Sequence, residues 1–529
     1  MTYDYVIVGA GAAGCVLAHR LSADPSVEVL LVEDGGSARD PLLAVPRAFY
    51  FTLRSDRHVR TYPTEPSAGI PAESWPRGRG LGGSTAINGL MYVRGSAADF
   101  DALERRGNPG WGSADFLGAY RAIEDHALGG SATRGSGGPL GVSVPRHDDA
   151  VTDGVLSGAA AMGLRQVEDF NDSDDARIGF TPATIARGRR VSAATAFLGP
   201  ARRRPNLTIA TRTRAERLLW RDGAVVGVRL RRRGRVEEVA VRREVVVAAG
   251  AVESPLLLER SGIGRAEVLA VAGVEQRAES PHVGEGVIEQ RAVSLQVRFS
   301  GRLGATERLN TLPRQAREAA RYLATRRGPV ATSGYDIVSA VRSTPEQERP
   351  DVQGVWVPMA IDETASHMRL APYSGLLFTG YALRPTTASS VHIGSADPDA
   401  APAIEARYLE DDAERATTAS ILGHARGLLA ASPLADRIED EVFPGPQVQS
   451  ADDVIGYARA AGGGIYHAVG SCAMGPGDDD VVDADLRVRG VPGLRVVDAS
   501  VLPQQVSGNT AAPVMALAWL AAGRILDDR

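Results

Sequence analysis

At 529 residues the chain is long enough for two or more domains, each with its own core. Hydrophobic residues at 44% and charged residues at 23% are the proportions of an ordinary globular protein, and a net charge of −5 predicts no general attraction to nucleic acid or anionic membrane. There is no lysine: all 59 basic side chains other than histidine are arginine, so no ε-amine is available and Schiff-base chemistry, with or without pyridoxal phosphate, is excluded.

The chain opens on an apolar run, Tyr3-Asp4-Tyr5-Val6-Ile7-Val8, followed by Gly9-Ala10-Gly11-Ala12-Ala13-Gly14, a helical stretch, and Val29-Leu30-Leu31-Val32 ending on Glu33. A lone GxGxxG is weak, but here it sits between a strand and a helix, with an acid closing the next strand about 20 residues on. That is the dinucleotide-binding fingerprint. Gly9 allows the tight turn, Gly11 lets the backbone approach a pyrophosphate, and Gly14 lets the helix pack on the strand. The N–H groups that open the helix at Ala12 and Ala13 face the phosphates. Glu33 is placed for a ribose hydroxyl and would repel a 2′-phosphate, which argues against NADP.

Residues 76–95 form a second glycine-rich tract that runs into apolar Leu90-Met91-Tyr92-Val93, which predicts backbone lying close against a flat ligand rather than a polar surface loop. Residues 101–126 read as a helix and 127–150 as a Gly/Ser/Pro-rich excursion. Strands are expected around the turn Arg221-Asp222-Gly223 and over 244–249, then a helix over 251–264 ending at glycine. Residues 290–440 change character, with strands near 293–298, 353–358 and 376–382 and helices near 313–326 and 413–431. They predict a second, antiparallel-rich region with helices. A last strand over 494–498 leads to a final helix starting at Pro513. No internal repeat is evident.

Cys15 and Cys472 fit neither a CxxC nor a zinc spacing, so neither a disulfide framework nor a metal site is expected. A first strand beginning at residue 3 leaves no room for a signal peptide, and no apolar run reaches membrane-spanning length. The expectation is a cytoplasmic protein without a membrane span. Near the C-terminus, His467 in Ile-Tyr-His-Ala-Val-Gly offers a base, and Asn509 in Ser-Gly-Asn-Thr-Ala-Ala-Pro offers a hydrogen-bond donor. With the dinucleotide fingerprint they suggest redox chemistry on a bound cofactor.

These motifs together resemble the glucose-methanol-choline (GMC) oxidoreductases, which are FAD-dependent, over nearly the whole chain. The resemblance rests on GxGxxG with Glu33, on Gly78-Arg79-Gly80-Leu81-Gly82-Gly83-Ser84-Thr85-Ala86-Ile87-Asn88, on Gly250-Ala251-Val252-Glu253-Ser254-Pro255 through Gly264, and on the His467 and Asn509 segments. Among family members the chain looks most like bacterial choline-dehydrogenase-like and aryl- or furfuryl-alcohol-oxidising enzymes. The resemblance implies an α/β fold: a Rossmann-like FAD-binding domain (residues 1–150, 190–289 and 445–529) with a second α+β substrate domain built on an antiparallel sheet (151–189 and 290–444). It implies cofactor contacts from Gly9, Gly11, Ala12, Ala13, Gly14, Glu33, Gly82, Gly83, Ser84, Asn88, Gly89, Ala215, Ala249, Gly250, Asp498, Ala499, Thr510 and Ala511. It also implies catalysis by His467 and Asn509, with Met91 and Tyr466 near substrate. Some relatives attach FAD through a histidine in the glycine tract. Ile87 stands there, so the FAD is expected to be non-covalent. The family often carries Asp-His where this chain has Glu289-Gln290, and Ala468 replaces the proline that often follows the catalytic histidine. The implied reaction is oxidation of an alcohol, primary by preference, to the aldehyde, with electrons passed to O2, a quinone or a carrier protein. The alternative is a redox-neutral hydroxynitrile lyase that keeps FAD as scaffold.

Overall fold

The computed structural model describes residues 2–146, 148–364 and 369–528. Its first sheet has seven strands. They run in the order Leu207–Thr211, Val29–Glu33, Thr2–Val8, Arg235–Val247, Ala224–Arg232 and Thr213–Arg221, with Leu494–Val496 beside the end of Arg235–Val247. The four pairings that link 207–211, 29–33, 2–8, 235–247 and 494–496 are parallel, and 235–247, 224–232 and 213–221 form an antiparallel meander. The parallel strands read as unbroken apolar runs because both faces are covered, and Val6, Ile7, Val245 and Val246 are fully buried. The helix Ala12–Leu21 packs against the final helix, where the Arg20 guanidinium lies 4.2 Å from the centre of the Trp519 ring.

The second sheet has eight strands in the order Ile438–Phe443, Arg291–Phe299, Gly375–Ala382, Val352–Val357, Ile337–Val341, Arg177–Phe180 and Arg165–Gln166, with Gly463–Gly464 on Arg291 and Ala292. Only the pairing of 165–166 with 177–180 is parallel. Helices Asp412–Ala430 and Ala150–Ala161 pack on this sheet and on each other. The architecture is the expected α/β one: a Rossmann-type sheet joined to an antiparallel-sheet region.

Several expected boundaries are corrected. The helix expected over 101–126 is two, Ala97–Arg105 and Ser113–Ile123, broken where Gly107 and Gly110 take positive φ, and residues 124–126 are extended. The helix expected over 251–264 ends at Arg260, and Ile263–Gly264 pairs with Ala278–Glu279. The final helix begins at Ala511, so Pro513 is its third residue rather than its first, still within the turn whose N–H groups have no helical partner. The strand Ile337–Val341 escaped the sequence reading because all five of its residues are buried, which removes the alternation that marks a half-exposed strand.

Candidate active site

A cavity of about 1630 Å³ runs between the two sheets, from Gly11, Glu33 and Ala215 at one end to His467, Asn509 and Tyr335 at the other. It exceeds the roughly 300–1,000 Å³ of a drug-sized ligand pocket. Its first half is built by close glycine contacts. A Cβ on Gly14 would lie 1.8 Å from the Gly9 carbonyl oxygen, and one on Gly83 would lie 2.7 Å from the Gly11 Cα. Gly82 N–H donates to the Ala10 carbonyl at 2.8 Å, so the second glycine tract is laid directly on the dinucleotide turn. A Cβ on Gly11 would meet nothing within 4 Å, because that position opens on the cavity. The helix behind it starts with no side-chain cap on its first N–H groups, leaving them for an anion.

Glu33 ties this cradle together. Its carboxylate accepts from the N–H groups of Ala10 at 3.0 Å, Gly35 at 2.8 Å and Gly80 at 2.9 Å. Burial pushes its pKa up, and these N–H donors oppose that. An ionised carboxylate has about four lone-pair sites, so one remains for a ribose hydroxyl. Asp498, expected among the cofactor contacts, lines the cavity. Its oxygens accept from Gly250 N–H at 2.8 Å, Ser254 Oγ at 2.6 Å and Ser500 N–H at 2.8 Å. It sets the loop that carries Ala249, Gly250 and Ala499 along the cavity wall. Ser84, Asn88, Gly89 and Met91 line the same wall, as do Thr510 and Ala511 at the start of the final helix.

Behind Asn88 lies Arg190, which no sequence motif singles out. It is buried, donates to Asn88 Oδ1 at 2.8 Å and to the Thr85 carbonyl at 3.2 Å, and burial pushes its pKa down to about 9.

At the far end, His467 and Asn509 are held by a chain of hydrogen bonds that fixes the protonation of the imidazole. Gln290 Nε2 donates to the carbonyls of Ala382 at 3.2 Å and Leu383 at 2.9 Å. Its Oε1 must therefore accept, and it sits 2.7 Å from His467 Nδ1. The network assigns the proton of neutral His467 to Nδ1 and leaves the lone pair on Nε2. Gln353 Nε2 donates to Asn509 Oδ1 at 3.3 Å, which turns the Asn509 amide nitrogen toward His467 Nε2, 3.1 Å away. Burial first, and the Arg77 charge second, pull the His467 pKa down to about 3.

The backbone around His467 is equally constrained. Glu289 accepts from the N–H groups of His467 at 2.8 Å, Ala468 at 3.0 Å and Gln290 at 3.0 Å. Arg77 stands 3.5 Å from its other side, and burial raises the Glu289 pKa. Gln505 donates to the His467 carbonyl at 2.9 Å. Ser507, two residues before Asn509, is pinned by Asp99, which accepts its N–H at 2.6 Å. The ring of Tyr381 stands edge-on to His467 at 6.0 Å. Tyr466 lies on the cavity wall with φ of +68°, an uncommon conformation for an aromatic residue. Sequence reasoning missed Gln290, Glu289, Gln353 and Tyr381 as site residues. The only signal was the departure at Glu289-Gln290, and its meaning depends on a partner far along the chain.

The fold and this cradle define an enzyme built around a dinucleotide-type cofactor. The N-terminal GMC oxidoreductase family model matches residues 3–291 and the C-terminal one residues 385–518. An alcohol dehydrogenase [acceptor] from Pseudomonas putida is 33% identical over 98% of this chain and 95% of its own length. An oxygen-dependent choline dehydrogenase from Photobacterium profundum is 32% identical over 100% of this chain and 93% of its own. The crystal structure of pyridoxine 4-oxidase from Mesorbium loti superposes with a TM-score of 0.90 at 30% identity, covering 99% of both chains. The chain belongs to the GMC oxidoreductase family; it is an enzyme, and FAD is its cofactor.

Proposed function

We propose that this protein oxidises a primary alcohol to the aldehyde with non-covalently bound FAD, passing the electrons to O2, a quinone or a carrier protein. The observation that carries the reading is the His467–Asn509 pair, held as lone pair and N–H donor side by side at the end of the cavity. FAD supplies the two-electron acceptor for the hydride that leaves the substrate α-carbon. The chain's own residues do the rest. Gly9, Gly11, Gly14, Gly82, Gly83 and the N–H groups of Ala12 and Ala13 fit the pyrophosphate, and Glu33 fits the ribose. The N–H groups of Thr510 and Ala511, at the start of the final helix on the cavity lining, would offer the positive end of that helix to bound FAD and would favour its negatively charged, reduced form. Ile87 supplies no nucleophile for a covalent link.

His467 Nε2 accepts the hydroxyl proton, and Asn509 Nδ2 donates to the oxygen as its negative charge grows. The low pKa of His467 keeps that lone pair free throughout the neutral range. Aromatic and aliphatic side chains, among them Tyr335, Tyr381, Met91, Val355 and Leu377, exclude water around the α-carbon.

The test is anaerobic mixing of the holoenzyme with a panel of primary alcohols, followed by flavin absorbance. His467→Ala should slow flavin reduction roughly 10²-fold or more at unchanged flavin content. Near-normal reduction in that variant would remove His467 from the mechanism. Cyanide release from mandelonitrile without bleaching would replace oxidation by the lyase reaction.

A further inference from the structure

The helix Leu312–Thr325 lies at the mouth of the cavity. It is anchored by Tyr322, whose hydroxyl donates to the Gly188 carbonyl at 2.9 Å, and by buried Glu318. Its apolar stripe is not packed away. Leu312, Ala316, Ala319 and Leu323 recur at i, i+4, i+7 and i+11, and all four are exposed, Leu312 at 80% and Leu323 at 68%. Phe51, which lines the same cavity, is 63% exposed. Large apolar side chains left in water around one opening mark a surface that is covered in use.

The charge around this opening says by what. Residues 302–327 hold seven arginines against two glutamates, net +5, in a chain whose total is −5. Arg317, Arg321 and Arg327 are exposed, and Arg321 reaches only as far as 3.8 Å from Glu318. A second copy docked about a two-fold axis would lay this +5 on itself, so self-association is disfavoured. An exposed apolar stripe flanked by arginines is the pattern of a helix that lies in a membrane interface. Among the described residues no helix is long and apolar enough to cross a membrane.

We infer that this protein docks on an anionic lipid surface through Leu312, Leu323 and Phe51, with the surrounding arginines against the headgroups and the cavity mouth facing the bilayer. A molecule dissolved in the lipid then reaches the cavity without crossing water. The attraction is local, which is why the net charge of the whole chain gives no sign of it.

The experiment is flotation of the FAD-loaded protein with vesicles of phosphatidylglycerol and phosphatidylcholine, and with phosphatidylcholine alone. Binding is expected on the mixed vesicles, falling steeply as salt is raised. Each arginine near an anionic surface is worth roughly fivefold in binding. The charge reversals Arg317→Glu and Arg327→Glu together should weaken binding by at least about 25-fold, with turnover of a water-soluble alcohol unchanged. Leu312→Asp with Leu323→Asp should also abolish flotation. Failure of the wild type to float on mixed vesicles, or undiminished flotation of both double variants, would overturn the proposal. So would a stable dimer that Leu312→Asp with Leu323→Asp dissociates, which would assign the face to a second copy. Flotation is read without turnover, so the outcome is independent of whether alcohol oxidation is the reaction.

Discussion

Gln290→Leu tests whether the tautomer of His467 is set from behind. Leucine approximates the volume of glutamine but removes both functions of the amide. His467 Nδ1–H loses the acceptor 2.7 Å away, and the carbonyls of Ala382 and Leu383 lose their donor. A neutral hydrogen bond contributes about 1 kcal/mol net, and a buried donor left without an acceptor costs about 1–3 kcal/mol. The ring can recover by moving its proton to Nε2, which is the atom that must be bare in the proposed mechanism to accept the substrate proton. At about 1.4 kcal/mol per tenfold in rate, the expected slowing of flavin reduction is about 5- to 150-fold. The assay is stopped-flow flavin absorbance without oxygen, at saturating alcohol and across pH, with FAD content and melting temperature recorded for each variant. Gln290→Glu restores an acceptor and adds negative charge beside Nδ1. It should recover much of the rate and raise the His467 pKa, so that reduction slows on the acid side at a higher pH than in the wild type. A merely structural Gln290 would not move the pH profile. If Gln290→Leu, with full FAD content, reduced its flavin at the wild-type rate with the wild-type profile, the tautomer argument would be refuted.

Asn509→Ala removes the amide proposed to donate to the substrate oxygen and should lower the reduction rate about 10²–10³-fold, the usual effect of losing one oxyanion donor; a rate within twofold of wild type would show that the amide is not used. Gly83→Ala drives a methyl to 2.7 Å from the Gly11 Cα at a residue with φ of +50°. Overpacking of about 1–3 kcal/mol there should weaken FAD retention by about 5- to 150-fold, read as flavin per protein after dialysis. The pKa of His467 is about 3 in the folded chain and about 6.5 when unfolded. As pH falls below 6.5 the unfolded chain takes up a proton that the folded chain refuses, so this residue erodes stability from about pH 6.5 down to about pH 3. In the FAD-free protein, His467→Gln should therefore lose less melting temperature between pH 7 and pH 4 than the wild type; an equal loss would mean that the histidine is not the group responsible.

The cofactor cradle was legible in the sequence because its chemistry is local. The turn, the close approach and the helix packing of Gly9, Gly11 and Gly14 are properties of six consecutive residues, and Glu33 sits at the end of the neighbouring parallel strand. The alternation and helical periodicity of residues 206–230 and 413–431 likewise need only nearest neighbours, and both segments fold as expected. His467 and Asn509 could be named as a base and a donor, but the 3.1 Å between them comes from two loops 42 residues apart. Gln290, read from the sequence only as a departure, gains its role because the strand Arg291–Phe299 starts beside both His467 and the carbonyls of Ala382 and Leu383. The exposed stripe from Leu312 to Leu323 has the periodicity of a core helix, and only the folded molecule shows which way it faces. A sequence pattern states which residues share a face; what that face meets depends on long-range packing, and the protonation of His467 and the solvent exposure of Leu312 are set there.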